Sequence, residues 1–242
     1  KVPIARCFNS GSFVMTHLNR RIVAILKKDL FAILVFLGVL LHIFACSTGP
    51  RIAVEPLPRY DALFSNRAGW SGGDGVYSAA LNHDTISWFF GDTWIGQIIN
   101  NRQSKATLVN NTVAIQQGKD PAIARMKFYY HHEGSNQPAA LIRPEDNRGW
   151  FWILDSVMTP AGLYVFLIQI ERTPGNEAFN FKVVGTWLGL VANPEESPAH
   201  WRIMQTKVPW STFSAAGGLL WGSAILQQNE FLYVYGTAEG VS

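Results

Sequence analysis

The sequence predicts an all-β body of propeller-type blades, preceded by an N-terminal signal or anchor helix. Three observations carry this. From Pro58 onward, short aromatic and β-branched runs alternate with clusters of Gly, Pro, Asn and Asp, and no long segment has helical periodicity. Three stretches, at 73–93, 152–166 and 221–237, repeat one pattern: a small-residue strand, a polar turn and an aromatic-rich strand. Their equivalent aromatic residues, Trp88, Tyr164 and Tyr233, lie 76 and 69 residues apart. A repeat of that length leaves room for four strands, the content of one propeller blade. An ordinary sandwich with recurrent hairpins is the alternative.

The N-terminal element rests on charge and hydropathy. Residues 1–46 carry six basic side chains (Lys1, Arg6, Arg20, Arg21, Lys27, Lys28) against one acid, Asp29. The remaining residues hold 14 bases and 16 acids, so the overall charge of +3 belongs to this segment and the body carries −2. A basic footprint for nucleic acid is therefore absent from the body. The basic stretch precedes an apolar run at 30–45, which is short for a spanning helix and suits a signal-peptide apolar region. Ile43-Phe44-Ala45-Cys46-Ser47 resembles a bacterial lipobox, with Cys46 as the lipidated residue. An uncleaved single-pass anchor is the alternative, and both place the body outside the cytoplasm, attached to a membrane. Met15 is a candidate start, which would make residues 1–14 upstream translation.

With Cys46 lipidated and Cys7 upstream, the body has no cysteine, so packing alone must hold it together. Residues 47–57 read as a linker and 58–242 as the β domain. The charged fraction, 15%, is low against about a quarter in soluble domains. The 48% hydrophobic content supports a sizeable core and excludes disorder.

Gly-Trp-Ser-Gly-Gly-Asp-Gly-x-x-Ser at 69–78, followed by Trp-Phe-Phe-Gly-Asp-Thr-Trp-Ile-Gly at 88–96, resembles the opening of bacterial exported five-bladed β-propellers of unassigned function. These are related to arabinanase- and xylosidase-type glycoside hydrolases. The likeness continues through Asn-Asn-Thr-Val-Ala-Ile-Gln at 110–116, Gly-Trp-Phe-Trp at 149–152 and Leu-Tyr-Val-Tyr-Gly-Thr at 232–237. It implies a five-bladed propeller with a carbohydrate in its channel. At roughly 70 residues per blade, 58–242 holds about three blades, so the expectation is a truncated ring or a fragment.

In the resembled hydrolases three acids from successive inner strands act as base, pKa modulator and general acid. By that resemblance Asp74, in Gly-Gly-Asp-Gly, matches the base and Asp155 the modulator. The third matching stretch, 217–223, has no carboxylate. Each acid also has a plainer reading. Asp74 suits a Gly-rich turn, Asp92 in Gly-Asp-Thr suits a turn or a partner for Asp74, and Asp155 suits a hairpin strand. Trp70, Trp94 and Trp152 are candidate platforms for sugar rings, with Trp88 and Trp150 further members of the same set; most should be core.

Other constellations are weaker. Glu171, beside Arg172 in an apolar strand, reads as a surface ion pair. His131 and His132 lack spaced acid or Cys partners for zinc, and no cofactor is expected beyond a structural cation in the channel. Neither a phosphate loop nor a Gly-x-Ser-x-Gly elbow occurs. The functional expectation is an exported, membrane-tethered, glycoside-hydrolase-like protein that binds a carbohydrate, with hydrolysis left open by the missing third acid. A non-catalytic glycan-binding surface protein and a non-functional fragment are the alternatives.

Overall fold

A computed structural model describes residues 53–240 except 176, 178, 212, 215 and 216, together with Phe36. The chain divides into two compact units, 1–56 and 57–242. The expected signal or anchor helix and Cys46 lie outside the described residues. No helix among the described residues is long and apolar enough to cross a membrane.

The second unit is all-β, as the residue texture predicts. It opens with a single helical turn and a half, α1 (Pro58–Leu63), where proline occupies the first helical position. The first strands are β1 (Ala68–Gly73), β2 (Tyr77–Ala80), β3 (Thr85–Phe90), β4 (Thr93–Ile99), β5 (Arg102–Val109), β6 (Thr112–Gln117) and β7 (Arg125–Tyr129). They form two antiparallel sheets, β1-β4-β5 and β2-β3-β6-β7. A short hairpin of β8 (His131–Glu133) and β9 (Gln137–Ala139) follows. Next come β10 (Trp150–Thr159), β11 (Gly162–Arg172), β12 (Phe181–Val191) and β13 (Ile203–Lys207), a four-stranded meander. The last sheet contains β14 (Phe213–Ser214), β15 (Gly217–Gln228) and β16 (Phe231–Glu239).

The three look-alike stretches are the antiparallel pairs β2–β3, β10–β11 and β15–β16. Their first strands are neighbours, with β10 packed between β2 and β15. The two-residue period of a strand explains how the sheets stack. Along β3, Phe89 faces one core while Trp88 and Phe90 face another. Along β10, Phe151 and Ile153 join Phe89 in the first of these, and Trp150, Trp152 and Leu154 point into a third. Each sheet thus shares one core with the next. β11, paired on both edges and covered on both faces, reads as an almost unbroken apolar run, Leu163 to Ile170.

The pairs are not regular. β10 is irregular between Ile153 and Ser156, and β15 between Trp221 and Ala224. Such bulges re-aim side chains and bend the strand. Among the described residues β16 pairs with β15, and Phe231, Leu232, Tyr233 and Tyr235 on it are exposed.

Candidate functional site

Asp74 lies in the turn between β1 and β2, just ahead of the first of the neighbouring strands. Its backbone is clasped to the turn after β3. The Asp74 amide donates to the Asp92 carbonyl at 3.1 Å, and the Gly91 amide donates to the Asp74 carbonyl at 2.8 Å. This clasp stacks the Asp74 carboxylate directly over Gly91: a Cβ at position 91 would sit 2.6 Å from Asp74 Oδ1. The glycine in Gly-Asp-Thr is therefore needed for close approach rather than for an unusual backbone angle.

The same clasp brings the Asp74 and Asp92 carboxylates together. Partial burial, and then the charge of Asp92, raise the Asp74 carboxyl above its ordinary pKa; backbone amide donors at Asp92 and Asp74 offset part of the rise. Asp92 is held from the other side. Its Oδ1 accepts the Trp152 indole N–H at 2.8 Å and the Asn110 side-chain amide at 3.4 Å. Trp152 is itself fixed by edge-on contacts with Trp150 and Phe181, at ring separations of 6.2 and 5.1 Å. The pair thus has one accessible carboxylate of raised proton affinity beside one oriented by two N–H donors.

Asp155 is placed differently. It sits in the β10 bulge, where Oδ1 accepts the Ser156 amide at 2.8 Å and Oδ2 accepts the Ile225 amide of β15 at 2.7 Å. It joins the irregular parts of two neighbouring sheets. Tyr77 of β2 is close as well: burial, then the charge of Asp155, raise the Tyr77 hydroxyl pKa. Asp155 therefore stands where β2, β10 and β15 converge, with both oxygens engaged by backbone.

The tryptophans separate. Trp70 is a core residue, 5% exposed, stacked on Phe128 at 4.3 Å and donating its indole N–H to Thr112. With its ring packed in that core, Trp70 is not a sugar platform, which corrects the expectation for this residue. Trp88 also faces that core and donates to Gln116. Trp152 is half-buried and works through its N–H on Asp92. Trp94, 41% exposed, is the member of the set with an open ring. Glu171 makes ion pairs with Lys182 at 3.6 Å and Arg148 at 3.9 Å, while its sequence neighbour Arg172 lies over the Trp150 ring instead.

Among the described residues no three of His, Cys, Asp and Glu converge as a metal site. Two residues near the acids were not singled out from sequence, Asn110 and Tyr77. Asn110 opens the polar run Asn110-Asn111-Thr112, which the sequence marks only as part of the resembled stretch at 110–116. The usable signal is three polar residues running into the start of β6, since Asn111 and Thr112 are fully buried. Asn111 staples the 140s loop to β10 through Ile142 and the Phe151 carbonyl.

A search of curated proteins returned no match. Among solved structures, the crystal structure of a "putative hydrolase" from Bacteroides ovatus superposes with a TM-score of 0.56 at 20% identity, over 74% of this chain. The chain spans about half of that protein, 49% of its length. At this identity the likeness concerns the fold. Residues 58–242, which hold every strand described above, match the domain of unknown function DUF5005, and the chain belongs to that family.

Proposed function

We infer that the domain is a hydrolase-like β-propeller segment that binds a carbohydrate, with Asp74 as its proton-transferring carboxylate. The observation that carries this reading is the Asp74–Asp92 pair: two carboxylates held together by a backbone clasp, one of them accessible and of raised proton affinity. Glycoside hydrolysis needs a carboxylate to take a proton from the attacking water and an acid to protonate the leaving oxygen. Asp74 suits the first task, because a higher proton affinity makes a carboxylate a better base while it remains ionised. Asp92, oriented by Trp152 and Asn110, sustains that affinity through its charge. Asp155 positions the strands around them. The neighbouring first strands of three stacked sheets support the propeller arrangement, and the fold likeness to a protein called a hydrolase supports the reaction class.

Residues 217–223 of β15 contribute no carboxylate to serve as the leaving-group acid. That observation favours a second reading, a glycan-binding protein without turnover. The separating experiment measures sugar release and glycan binding by the full chain and by Asp74→Asn, with circular dichroism as the check on folding. Loss of release in a folded Asp74→Asn supports the catalytic reading. Unchanged release removes Asp74 from the chemistry, and binding without any release by either protein favours the second reading. Attachment to a membrane through Cys46 is part of the proposal and is tested by fatty-acid labelling of the parent and Cys46→Ser.

A further inference from the structure

Beside the acid pair, a cleft of about 630 Å³ is lined by Asn110, Arg148, Gly149, Trp150, Glu171 and Arg172. Asn110, Gly149 and Trp150 also line a second cleft of about 380 Å³ that reaches Arg143. Asn110 is the link to the acids, because its side-chain amide donates to Asp92.

The charges of this cleft are unevenly satisfied. Glu171 is shared between Arg148 and Lys182, and Arg148 is also bound to Asp146 at 3.1 Å. Arg143 is paired with Glu133. Arg172 has no carboxylate partner among the described residues; its guanidinium lies 5.3 Å from the centre of the Trp150 ring. Stacking of this kind holds the planar guanidinium in place while leaving its N–H edge free to donate. Arg172 is exposed, so that edge is available to a ligand.

The cleft is also preformed. Gln169, fully buried, donates to both Asp146 oxygens at 3.1 and 3.3 Å and to the Arg148 carbonyl at 3.0 Å, and accepts the Trp187 indole N–H at 2.8 Å. Gly149, at φ +63°, runs so close to β11 that a Cβ there would lie 1.8 Å from the Ile170 carbonyl oxygen. These contacts fix the loop that carries Arg148 against the strand that carries Arg172.

We propose that this cleft is a subsite for an acidic sugar unit, whose carboxylate or sulfate is received by Arg172 with Arg148 beside it. The proposal rests on the carbohydrate reading above and narrows it to anionic glycans. A guanidinium fork pairs with two oxygens of a carboxylate or sulfate in a bidentate manner, and Asn110, which lines this cleft and donates to Asp92, links it to the acid pair.

The test is calorimetric titration of the full chain with three probes: a galacturonate trimer, a sulfated galactose trimer and neutral xylotriose. At least one acidic trimer should bind, about tenfold or more tightly than xylotriose, with affinity falling as salt rises. Arg172→Gln should remove that preference, and Arg172→Lys, which keeps the charge without the planar fork, should retain part of it. The two acidic arms tell carboxylate from sulfate. Equal binding of neutral and acidic trimers, no binding of either acidic trimer, or an unchanged preference in both Arg172 variants overturns the proposal. Arg172-dependent binding with no sugar release from any substrate leaves this subsite standing and removes the hydrolase reading. Release from neutral substrates alone, unaffected by Arg172→Gln, does the reverse.

Discussion

Asp155→Ala gives the sharpest test of how the neighbouring sheets are held. The carboxylate accepts two backbone amides, at 2.8 and 2.7 Å, one from its own bulge and one from β15. Hydrogen bonds to a charged group contribute about 1.5–3 kcal/mol each when buried. Both here are only part-buried, so the lower end applies and their joint loss should cost about 3 kcal/mol. For a domain of this size each kcal/mol shifts the melting temperature by about 2–4 °C, which predicts a fall of about 6–12 °C. Asp155→Asn keeps one acceptor oxygen but turns an NH2 toward the other amide, so it should also be destabilised, by less than the alanine. Urea unfolding followed by tryptophan fluorescence measures both. A loss below about 0.5 kcal/mol in the alanine variant, in the range of an ordinary surface substitution, would refute the idea that Asp155 joins β10 to β15. If stability held while sugar release vanished, Asp155 would belong to the chemistry instead.

Further outcomes are expected. Trp70→Ala should destabilise the domain by about 3–5 kcal/mol by emptying the site against Phe128, whereas Trp94→Ala should stay within about 0.5 kcal/mol and weaken glycan binding, both read by urea unfolding and titration. Asp92→Asn should lower the Asp74 pKa, followed by carboxyl carbon NMR; the fall should be partial, because burial is the larger cause of the rise. Since the folded pKa of Asp74 lies above the unfolded one, its stabilising contribution is complete below the unfolded value and is lost as pH rises through the folded value. Asp74→Asn should therefore be at least as stable as the parent at neutral pH and lose ground to it in acid. On β16, which pairs with β15 among the described residues, the exposed Leu232 (42%) and Tyr235 (54%) should promote self-association of this chain, and Leu232→Lys should reduce it in light scattering after size-exclusion chromatography.

The parts of the fold legible in the sequence are those made by neighbours in the chain. Trp88, Tyr164 and Tyr233 mark β3, β11 and β16 because alternating aromatic residues flank short polar turns. The pairing of β1 with β4 was not legible, since Trp70 meets Ile95 across an intervening hairpin. Trp70 is a candidate platform by residue type, yet its fate is decided by Phe128 and Thr112, far along the chain. Asp74 and Asp92 could be named from their glycine-rich settings, but the clasp between them could not. The amide that engages Asp155 lies 70 residues away, and the Arg172–Trp150 stack depends on adjacent strands. Local pattern gives the strands; contacts between strands decide which acids and rings remain free.

In the first four-stranded sheet, the chain leaves and returns at one point, and this holds the two sides of the site together. Phe90, where the chain leaves that sheet, and Thr112, where it returns, are cross-strand partners. The ladder therefore closes without the segment between them, and the Thr93 and Thr112 hydroxyls meet at 3.1 Å across its stem. The segment is nevertheless packed back onto the sheet that hosts it, because Ile95 and Val109 share a core with Phe90 and Ala114. Asp92 stands at one end of the stem and Asn110 at the other. The second carboxylate and the amide that orients it are thus set by one ring closure, so a change at Thr93 or Thr112 should move both, while Asp74 lies outside that loop.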